Sequence, residues 1–438
     1  MTLATPITVI RGRFLDIQKT VAQAAEIADQ VRYLEDGVLI TEQGKIRWFG
    51  TWEDAQAHLP INIEIQHYLE QLIIPGMIDT HIHFPQTEMV GAYGEQLLSW
   101  LNTYTFPTEI QFKDKAYASE IAKFFVNELL KNGTTTALVF CTVHPESVDA
   151  LFEAAEQHQM RLIAGKVMMD RHAPEALCDS ADSSYDDSKA LIEKWHGQGR
   201  ALYAITPRFA PTSTPEQLER AGQLKAEHPD IYVHTHLSEN KDEIAWVKDL
   251  FPAQKGYLDV YHHYGLTGQR SVFAHCVHLE DAEWQCMHET DSAIAFCPTS
   301  NLFLGSGLFP LKKTWQQQVK VGLGTDVGAG TSFSLLQTVN EAYKVQQLQG
   351  DKLSAYESLY HATLGGAKAL DLDDKLGNFN VGKEADFVVL NLKPTALQQL
   401  RQSRAKSLED SLFALFTMGD DRNVEATYIY GQKAYSQN

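Results

Sequence analysis

The strongest constraint on the fold of this chain is the alternation of short β-rich runs with helical segments through its central part. Helical periodicity covers residues 116–131 and 145–158, and Thr214 with Pro215 suits the N-cap and first turn of a helix that extends to Ala226. Strands are predicted at residues 135–140, 161–168, 231–237, 271–277, 293–296 and 319–325. Strands that alternate with helices form a parallel sheet, and this many units predict a (β/α)₈ TIM-type barrel. An open doubly wound sheet is the alternative, although no G-x-G-x-x-G turn follows a strand.

The two ends of the chain share a different, β-rich pattern. Gln43-Gly44 is predicted to be a hairpin turn. Strands are predicted beside it and again near the C-terminus, at residues 8–10, 37–40, 46–49, 386–390 and 426–431. Because each end is too short to enclose a large core alone, we predict that both form one small β-sandwich domain. Residues 1–70 would be its first part and residues 376–438 its second, with the barrel inserted at residues 71–375.

Charge and cysteine content limit the partners and the compartment. The chain has 37 basic and 56 acidic residues, a net charge of −19, which weighs against nucleic acid or an anionic membrane as a partner. Its five cysteines include no C-x-x-C pair, so a reducing compartment without disulfides is expected. Residues 1–6 lack the features of a signal peptide, and no apolar run is long enough to cross a bilayer. We expect a cytoplasmic protein with no membrane partner.

His81 and His83 lie two residues apart near the end of a predicted strand, in the run PGMIDTHIH. Residues i and i+2 of a strand share a face, so both imidazoles can point into one barrel cavity. Two such imidazoles are an efficient start for a zinc or iron site. Alone the H-x-H motif is weak evidence, because the chain has 17 histidines.

Three further predicted strands end in side chains that can bind a metal or transfer a proton. One carries His234 and His236 and is followed by Glu239, the next carries His275, and the last ends at Asp326. The active sites of barrel enzymes lie at the C-terminal ends of the strands. Chance placement of such residues at four strand ends is improbable, so the pattern predicts a metal site with acid or base groups beside it.

This pattern resembles the amidohydrolase superfamily, whose barrel hydrolases have an H-x-H strand, two later histidine strands and a terminal aspartate. The resemblance covers nearly the whole chain, including the split sandwich, and is closer to the guanine deaminase branch. The runs that carry this closer similarity are PGMIDTHIHFPQ (75–86), LSWLNTYTFPTE (98–109), TPRF (206–209), HLSEN (236–240), CPTSN (297–301) and GLGTDV (322–327). The stretch from Trp100 to Glu109 and the Pro-Arg-Phe triplet are the more specific ones.

The resemblance implies a set of roles for individual residues. One zinc ion would be bound by His81, His83, His236 and Asp326. The catalytic residues would be Glu239, His275 and Asp326. Guanine would be held by His83, Gln86, Arg208, Phe209, His236, Glu239 and Asp326. The implied reaction is deamination of guanine to xanthine and ammonia in purine catabolism, in which zinc-bound hydroxide attacks C2 and Glu239 shuttles the proton. The resemblance also implies a homodimer.

Other interpretations stay open at this point. The substrate could be another purine, a pterin or a triazine, the metal could be iron or manganese, and a relative without activity could use the barrel only for protein contacts. Taken alone, Arg208 could form a structural salt bridge, Glu239 could be an acid in the first turn of a helix, and Phe209 and Trp100 could be core aromatics. His234 is interpreted as a core or supporting residue. Lys166 could be a carboxylated lysine that bridges two metals, but its flanking sequence favours a structural role beside a single metal.

Overall fold

The computed structural model describes residues 7–93 and 97–437; the N-terminal run considered above as a signal peptide, residues 1–6, lies outside this range. The first strands are β1 (Ile7–Ile17), β2 (Val31–Glu42), β3 (Lys45–Thr51) and β4 (Ile65–Pro75). Gln43 and Gly44, which join β2 to β3, both have positive φ, 54° and 75°. This geometry belongs to a tight two-residue hairpin turn, and the predicted hairpin is confirmed.

The central strands form a parallel barrel. They are β5 (Met77–His83), β6 (Thr134–Phe140), β7 (Arg161–Gly165), β8 (Val167–Met168), β9 (Leu202–Pro207), β10 (Tyr232–Leu237), β11 (Ser271–His275), β12 (Ala293–Phe296) and β13 (Lys320–Leu323). The order around the barrel is β5-β6-β7-β9-β10-β11-β12-β13, and β8 pairs with β9. Thr80 Oγ1 donates to Leu323 O at 2.9 Å, and Asp326 N donates to His81 O at 2.9 Å, so the first and last strands meet.

The strand predicted at residues 161–168 is interrupted at Lys166, which gives two strands, β7 and β8. The backbone N–H of Lys166 donates to Tyr203 Oη at 3.2 Å instead of pairing along the strand. Strands β7 and β9 are in close contact here, since a Cβ on Gly165 would lie 1.7 Å from Ala204 O. Strand β9, which ends at Pro207, was not predicted.

Helices surround the barrel and fill its connections. They are α1 (Trp52–Ala55), α2 (Leu97–Trp100), α3 (Phe106–Glu109), α4 (Lys115–Lys131), α5 (Pro145–Glu156), α6 (Ala181–Trp195), α7 (Pro215–Glu227), α8 (Lys241–Leu250), α9 (Tyr257–His263), α10 (Asp281–Glu289), α11 (Pro298–Phe303), α12 (Leu311–Gln316), α13 (Leu335–Leu348), α14 (Ala355–Ala362), α15 (Leu364–Ala369), α16 (Ala396–Gln402) and α17 (Leu408–Met418). A π-helical turn, Leu101–Thr105, joins α2 to α3. Thr214 caps α7 as predicted, by accepting from Gln217 N. Within the described ranges, no helix is long and apolar enough to cross a membrane.

One apolar cluster fills the barrel interior. It takes side chains from each of β5, β6, β7, β9, β10, β11 and β12, among them Ile78, Leu138, Ile163 and Tyr232. The Tyr232 hydroxyl donates to Leu370 O at 2.6 Å, just after α15, so this end of the barrel is closed by packed side chains. A larger cluster lies between the strands and the outer helices. The interior is therefore free for a polar site only towards the other end of the barrel.

The two ends of the chain meet in a second sheet. The last strands, β14 (Phe387–Leu390), β15 (Val424–Ile429) and β16 (Gln432–Ser436), join the N-terminal ones in the order β16-β15-β14-β4-β1-β2-β3. Its pairs are antiparallel except that of β1 with β4. The predicted fold class, a (β/α)₈ barrel with a small domain from both chain ends, is confirmed. The division at residues 70 and 375 stays a prediction, and β4 runs across the first of these positions.

A buried ion-pair network connects the barrel to the strand region of the C-terminal segment. Glu384 lies between Arg161 and Arg200, with oxygen–nitrogen distances of 2.5 Å to each, and Arg200 also pairs with Asp386. The side chains of Arg161 and Glu384 are only 7% and 11% exposed. None of the residues in this network lines the cavity described below.

Candidate active site

Four side chains from three barrel strands converge at the C-terminal ends of those strands. His81 Nε2 and His83 Nε2 each lie 3.2 Å from Asp326 Oδ1, and His236 Nε2 lies 3.2 Å from His83 Nε2. Their ligand atoms form two groups, in each of which all the atoms lie within 4.8 Å of one another. The first group is His81, His83 and His236, and the second is His81, His275 and Asp326. The residues that the sequence placed at separate strand ends are thus brought to one point.

Contacts behind the cluster set the orientation of the imidazoles. His236 Nδ1 donates to Arg208 O at 2.6 Å, because a carbonyl oxygen can only accept. In the neutral ring the lone pair is then on Nε2, which faces the cluster. His81 Nδ1 and His234 Nε2 share a hydrogen bond of 2.8 Å, so His234 supports His81 from outside the cluster. Asp79 holds the strand ends together by accepting from His81 N and Thr325 N, both at 3.1 Å.

The electrostatics of the cluster match a cation site. Burial lowers the pKa of His83 to about 3 and lowers that of His81, and burial together with the neighbouring histidines holds the pKa of His236 well below its usual range. Burial alone would raise the pKa of Asp326, but the facing histidines outweigh it and hold that pKa well below the usual range. Neutral imidazoles with a carboxylate are a normal donor set for a divalent transition metal.

One orphaned atom tests whether these residues fit a metal. His81 Nε2 is fully buried and makes no hydrogen bond of acceptable geometry with any described residue, although Asp326 Oδ1 is 3.2 Å away. An unpaired buried nitrogen is costly unless something binds it. A ligand atom of His81 lies within 4.8 Å of ligand atoms of His83, His236 and Asp326, so these groups face a common point. The residues therefore fit a divalent metal ion.

Glu239 lies beside this cluster, just before α8. Ser306 Oγ donates to its Oε1 at 3.0 Å, and His275 Nε2 lies 3.5 Å from its Oε2. Burial, with the nearby Asp326 carboxylate, raises the pKa of Glu239 to about 8. Glu243 supports the same segment, because its carboxylate accepts from the backbone N–H of Glu239 at 3.0 Å. A carboxyl group with this pKa can both take and give a proton near neutral pH.

Backbone conformation turns two strand ends towards the cluster. His275 and Asp326 have φ values of 71° and 52°, in the left-handed region that non-glycine residues rarely adopt. Such conformations persist where the surrounding contacts determine them, and they are common at functional sites. His275 is also held by its Nδ1, which is 2.9 Å from Asn301 Oδ1.

The cluster opens into a cavity that encloses about 420 Å³ when the space open to solvent is included. Its polar lining comprises the side chains predicted to bind metal, proton or purine: His83, Gln86, Arg208, His236, Glu239, His275 and Asp326, together with Glu243. Its apolar lining includes Phe209 and Trp100, and His81 lies buried behind. Lys166 is elsewhere, in an ion pair with Asp179.

A buried carboxylate, to which the sequence assigned no role, contacts two of the polar side chains in the cavity wall, Arg208 and Gln86. Glu109 is fully buried and lies within hydrogen-bonding distance of Arg208 Nη1, at 3.0 Å for Oε1 and 2.9 Å for Oε2. Gln86 Nε2 donates to Glu109 Oε1 at 3.3 Å, while Gln86 Oε1 accepts from Gly328 N at 3.2 Å. Asn301 and Ser306 were also missed. Glu109 and Asn301 lie within two of the runs that carried the resemblance, whereas nothing local marks Ser306.

Comparison with known proteins defines the class to which this site belongs. A family model described as the amidohydrolase family matches residues 72–434, which is most of the chain. The protein therefore belongs to the amidohydrolase family, as its motifs indicated.

Within that family, the chain is similar to guanine deaminases. The chain is 63% identical to guanine deaminase from Escherichia coli (strain K12) over 429 residues, covering 98% of both sequences. A solved structure of E. coli guanine deaminase matches with a TM-score of 0.96 at 61% identity, over 99% of this chain and 100% of that one. Guanine deaminase from C. acetobutylicum, with bound guanine in its active site, matches with a TM-score of 0.88 at 30% identity, over 98% and 100%.

Proposed function

We propose that the protein hydrolyses guanine to xanthine and ammonia. The observation that carries this proposal is one cavity whose lining combines the cluster suited to a metal, the carboxyl group of Glu239 and a wall formed by Arg208 and Gln86. The identity of 63% to a guanine deaminase, over nearly the whole chain, supports the same substrate. A purine has a planar face for Phe209 and polar edges for the two hydrogen-bonding side chains.

We propose that His81, His83, His236 and Asp326 hold one zinc ion in each chain. The donor set of imidazoles and one carboxylate supports this choice. When bound, such an ion polarises a water molecule and lowers its pKa towards neutrality.

The residues of the chain supply the proton transfers. The attacking water adds to C2 of guanine and loses a proton to Glu239, whose carboxyl group is held by Ser306. Glu239 then delivers that proton to N3, the ring nitrogen next to C2. The second water proton passes from the C2 hydroxyl to the amino nitrogen, so that the C2–N bond breaks, C2 becomes a carbonyl and ammonia leaves. His275 Nε2 lies 3.5 Å from Glu239 Oε2 and 3.8 Å from Asp326 Oδ2, and we propose that it stabilises the oxygen that gains charge at C2.

Arg208 and Gln86 position the substrate. The guanidinium offers rigid N–H donors, which suit the O6 and N7 acceptors of guanine. The Gln86 amide can both donate and accept, as a purine edge requires. Phe209 and Trp100 enclose the ring and keep water from the reacting atoms.

The test is to incubate the purified, zinc-loaded protein with guanine and to follow xanthine by absorbance and ammonia by a coupled assay. Equal amounts of both products are expected, and protein stripped of metal by a chelator serves as the control. A panel of adenine, a pterin and an aminotriazine separates the competing substrate classes. Turnover of one of these without turnover of guanine would overturn the proposal.

We also propose that the protein acts in purine catabolism, in the cytoplasm, as a homodimer. All five cysteines are free, which supports a reducing compartment. The dimer rests on the resemblance to the guanine deaminases. Light scattering on the purified protein, with a mass of twice 49.2 kDa as the expected result, tests it.

A further inference from the structure

Glu109 is the one buried carboxylate of the described chain that touches both substrate-facing polar side chains. Its two oxygens contact Arg208 Nη1, and one of them also accepts from Gln86 Nε2. The side chains of Arg208 and Glu109 are 3% and 1% exposed. A buried guanidinium needs a counter-charge, and Glu109 supplies it, so Glu109 keeps Arg208 ordered in this wall.

The same carboxylate decides which groups remain for a ligand. Only Nη1 of the Arg208 side chain is occupied by Glu109, and none of the described residues accepts from its Nε or Nη2. The Gln86 amide is oriented at both ends, because its Nε2 faces the Glu109 acceptor and its Oε1 faces the Gly328 N–H donor. Glu109 therefore sets the direction in which Arg208 presents its Nε and Nη2 donors to the cavity.

The segment that carries Glu109 is built to place it there. Glu109 ends α3, directly after the π-helical turn Leu101–Thr105, and π-turns within helices are frequent at functional sites. Phe106 of the same segment lies under the Arg208 guanidinium, and Arg208 Cζ is 5.7 Å from the centroid of the Phe106 ring. Arg208 is thus restrained on one side by the Phe106 ring and on another by the Glu109 carboxylate.

We propose that Glu109 is a positioning residue that determines substrate specificity, and this inference rests on the proposed function. By fixing the free donors of Arg208, it makes this wall complementary to the acceptor edge of a 6-oxopurine. A 6-aminopurine presents an N–H donor at that edge. The N–H donors of Arg208 would then face another donor and remain without an acceptor. Glu109 acts through Arg208 and Gln86 and does not touch the reacting atoms.

The test compares Glu109→Gln with the wild type in guanine kinetics and in binding of hypoxanthine, a 6-oxopurine with no 2-amino group to lose. Loss of the charge-assisted contact is expected to raise the KM for guanine and the Kd for hypoxanthine by about 10- to 100-fold. Little change is expected in kcat, because the proton-transfer groups are untouched. The preference for hypoxanthine over adenine in binding should fall by a similar factor.

Glu384→Gln is the matched control. Glu384 is also a buried carboxylate paired with arginine, but it lies in the network outside the cavity. This variant should lower the thermal midpoint and leave the KM for guanine unchanged. A merely structural role for Glu109 would make the two variants behave alike.

Further variants keep the proposal testable if Glu109→Gln folds poorly. Glu109→Asp keeps the charge but withdraws it by one methylene, and it should show the same rise in KM and Kd to a smaller extent. In an Arg208→Gln background, Glu109→Gln should add little to either constant. Unchanged KM and Kd in folded Glu109 variants would overturn the inference. If the wild type fails to turn over guanine, the proposed function fails, while hypoxanthine binding still reports on Glu109.

Discussion

Replacing Glu239 by glutamine tests the proton-carrying role most directly. Glutamine keeps the shape of the side chain, and its carbonyl oxygen can still accept from Ser306 Oγ, which donates to Glu239 Oε1 at 3.0 Å. General acid–base groups contribute about 10²- to 10⁴-fold, so kcat should fall by that factor, or about 3–5 kcal/mol in barrier height. Zinc content should stay unchanged, because Glu239 is not in the proposed ligand set.

The same substitution has a consequence for stability in the metal-free protein. Burial, with Asp326, raises the pKa of Glu239 to about 8, whereas an unfolded glutamate titrates near ~4.3. Below that value both states are protonated; as the pH rises towards 8, only the unfolded state loses its proton. The free energy of unfolding then falls by about 1.4 kcal/mol per pH unit for this group. Glutamine does not titrate, so the thermal midpoint of Glu239→Gln should rise relative to the wild type between pH 5 and pH 8.

Steady-state kinetics, metal analysis by mass spectrometry and calorimetry at several pH values measure these effects. Full activity in the variant would refute the assignment of the proton carrier. Loss of zinc would instead indicate that Glu239 is a ligand. A difference in thermal midpoint that does not depend on pH would show that Glu239 is not held protonated by burial.

Three other substitutions probe the cluster and its supports. His81→Ala should lose both metal and activity, and an unchanged zinc content would point to a different ligand set. His234→Phe removes the 2.8 Å contact to His81 Nδ1 and should weaken zinc binding by about 10- to 100-fold in competition with a chelator; equal affinity would mean that this contact does not orient the ligand. Ser306→Ala removes a hydrogen bond that lowers the pKa of Glu239, so the acid limb of the kcat/KM profile should move to higher pH by about one unit, and an unmoved limb would exclude this role.

Local sequence patterns were sufficient where an element depends on its own residues. The Gln43-Gly44 turn, the Thr214 cap and the helix that forms α4 were all predictable, because turns, caps and periodicity act over a few residues. Strand β9 and the break at Lys166 were not. The break depends on Tyr203, which is 37 residues further along the chain and accepts the Lys166 N–H.

For the site, the sequence by itself determined which chemical groups stand at the strand ends. The two-residue period of a strand puts His81 with His83, and His234 with His236, on common faces, and the alternation of strands with helices brings those ends to one rim. The two-residue period alone does not divide the tasks within a pair, and it was the resemblance to the amidohydrolases that assigned His236 to the metal and left His234 in a supporting role. The structure directs His236 Nε2 into the cluster, while His234 Nε2 lies behind His81, 153 residues away in sequence.

Only the tertiary structure decided how the substrate wall is held. Arg208 and Gln86 were identified from the sequence, but the carboxylate that orders both, Glu109, is 99 residues from one and 23 from the other. Hydrogen bonds and ion pairs depend on distances of about 3 Å and on direction, and no local pattern encodes such a distance across the fold. The chain therefore specifies its reactive groups through periodicity, and the orientation and charge of those groups arise from contacts that exist only once the barrel has closed.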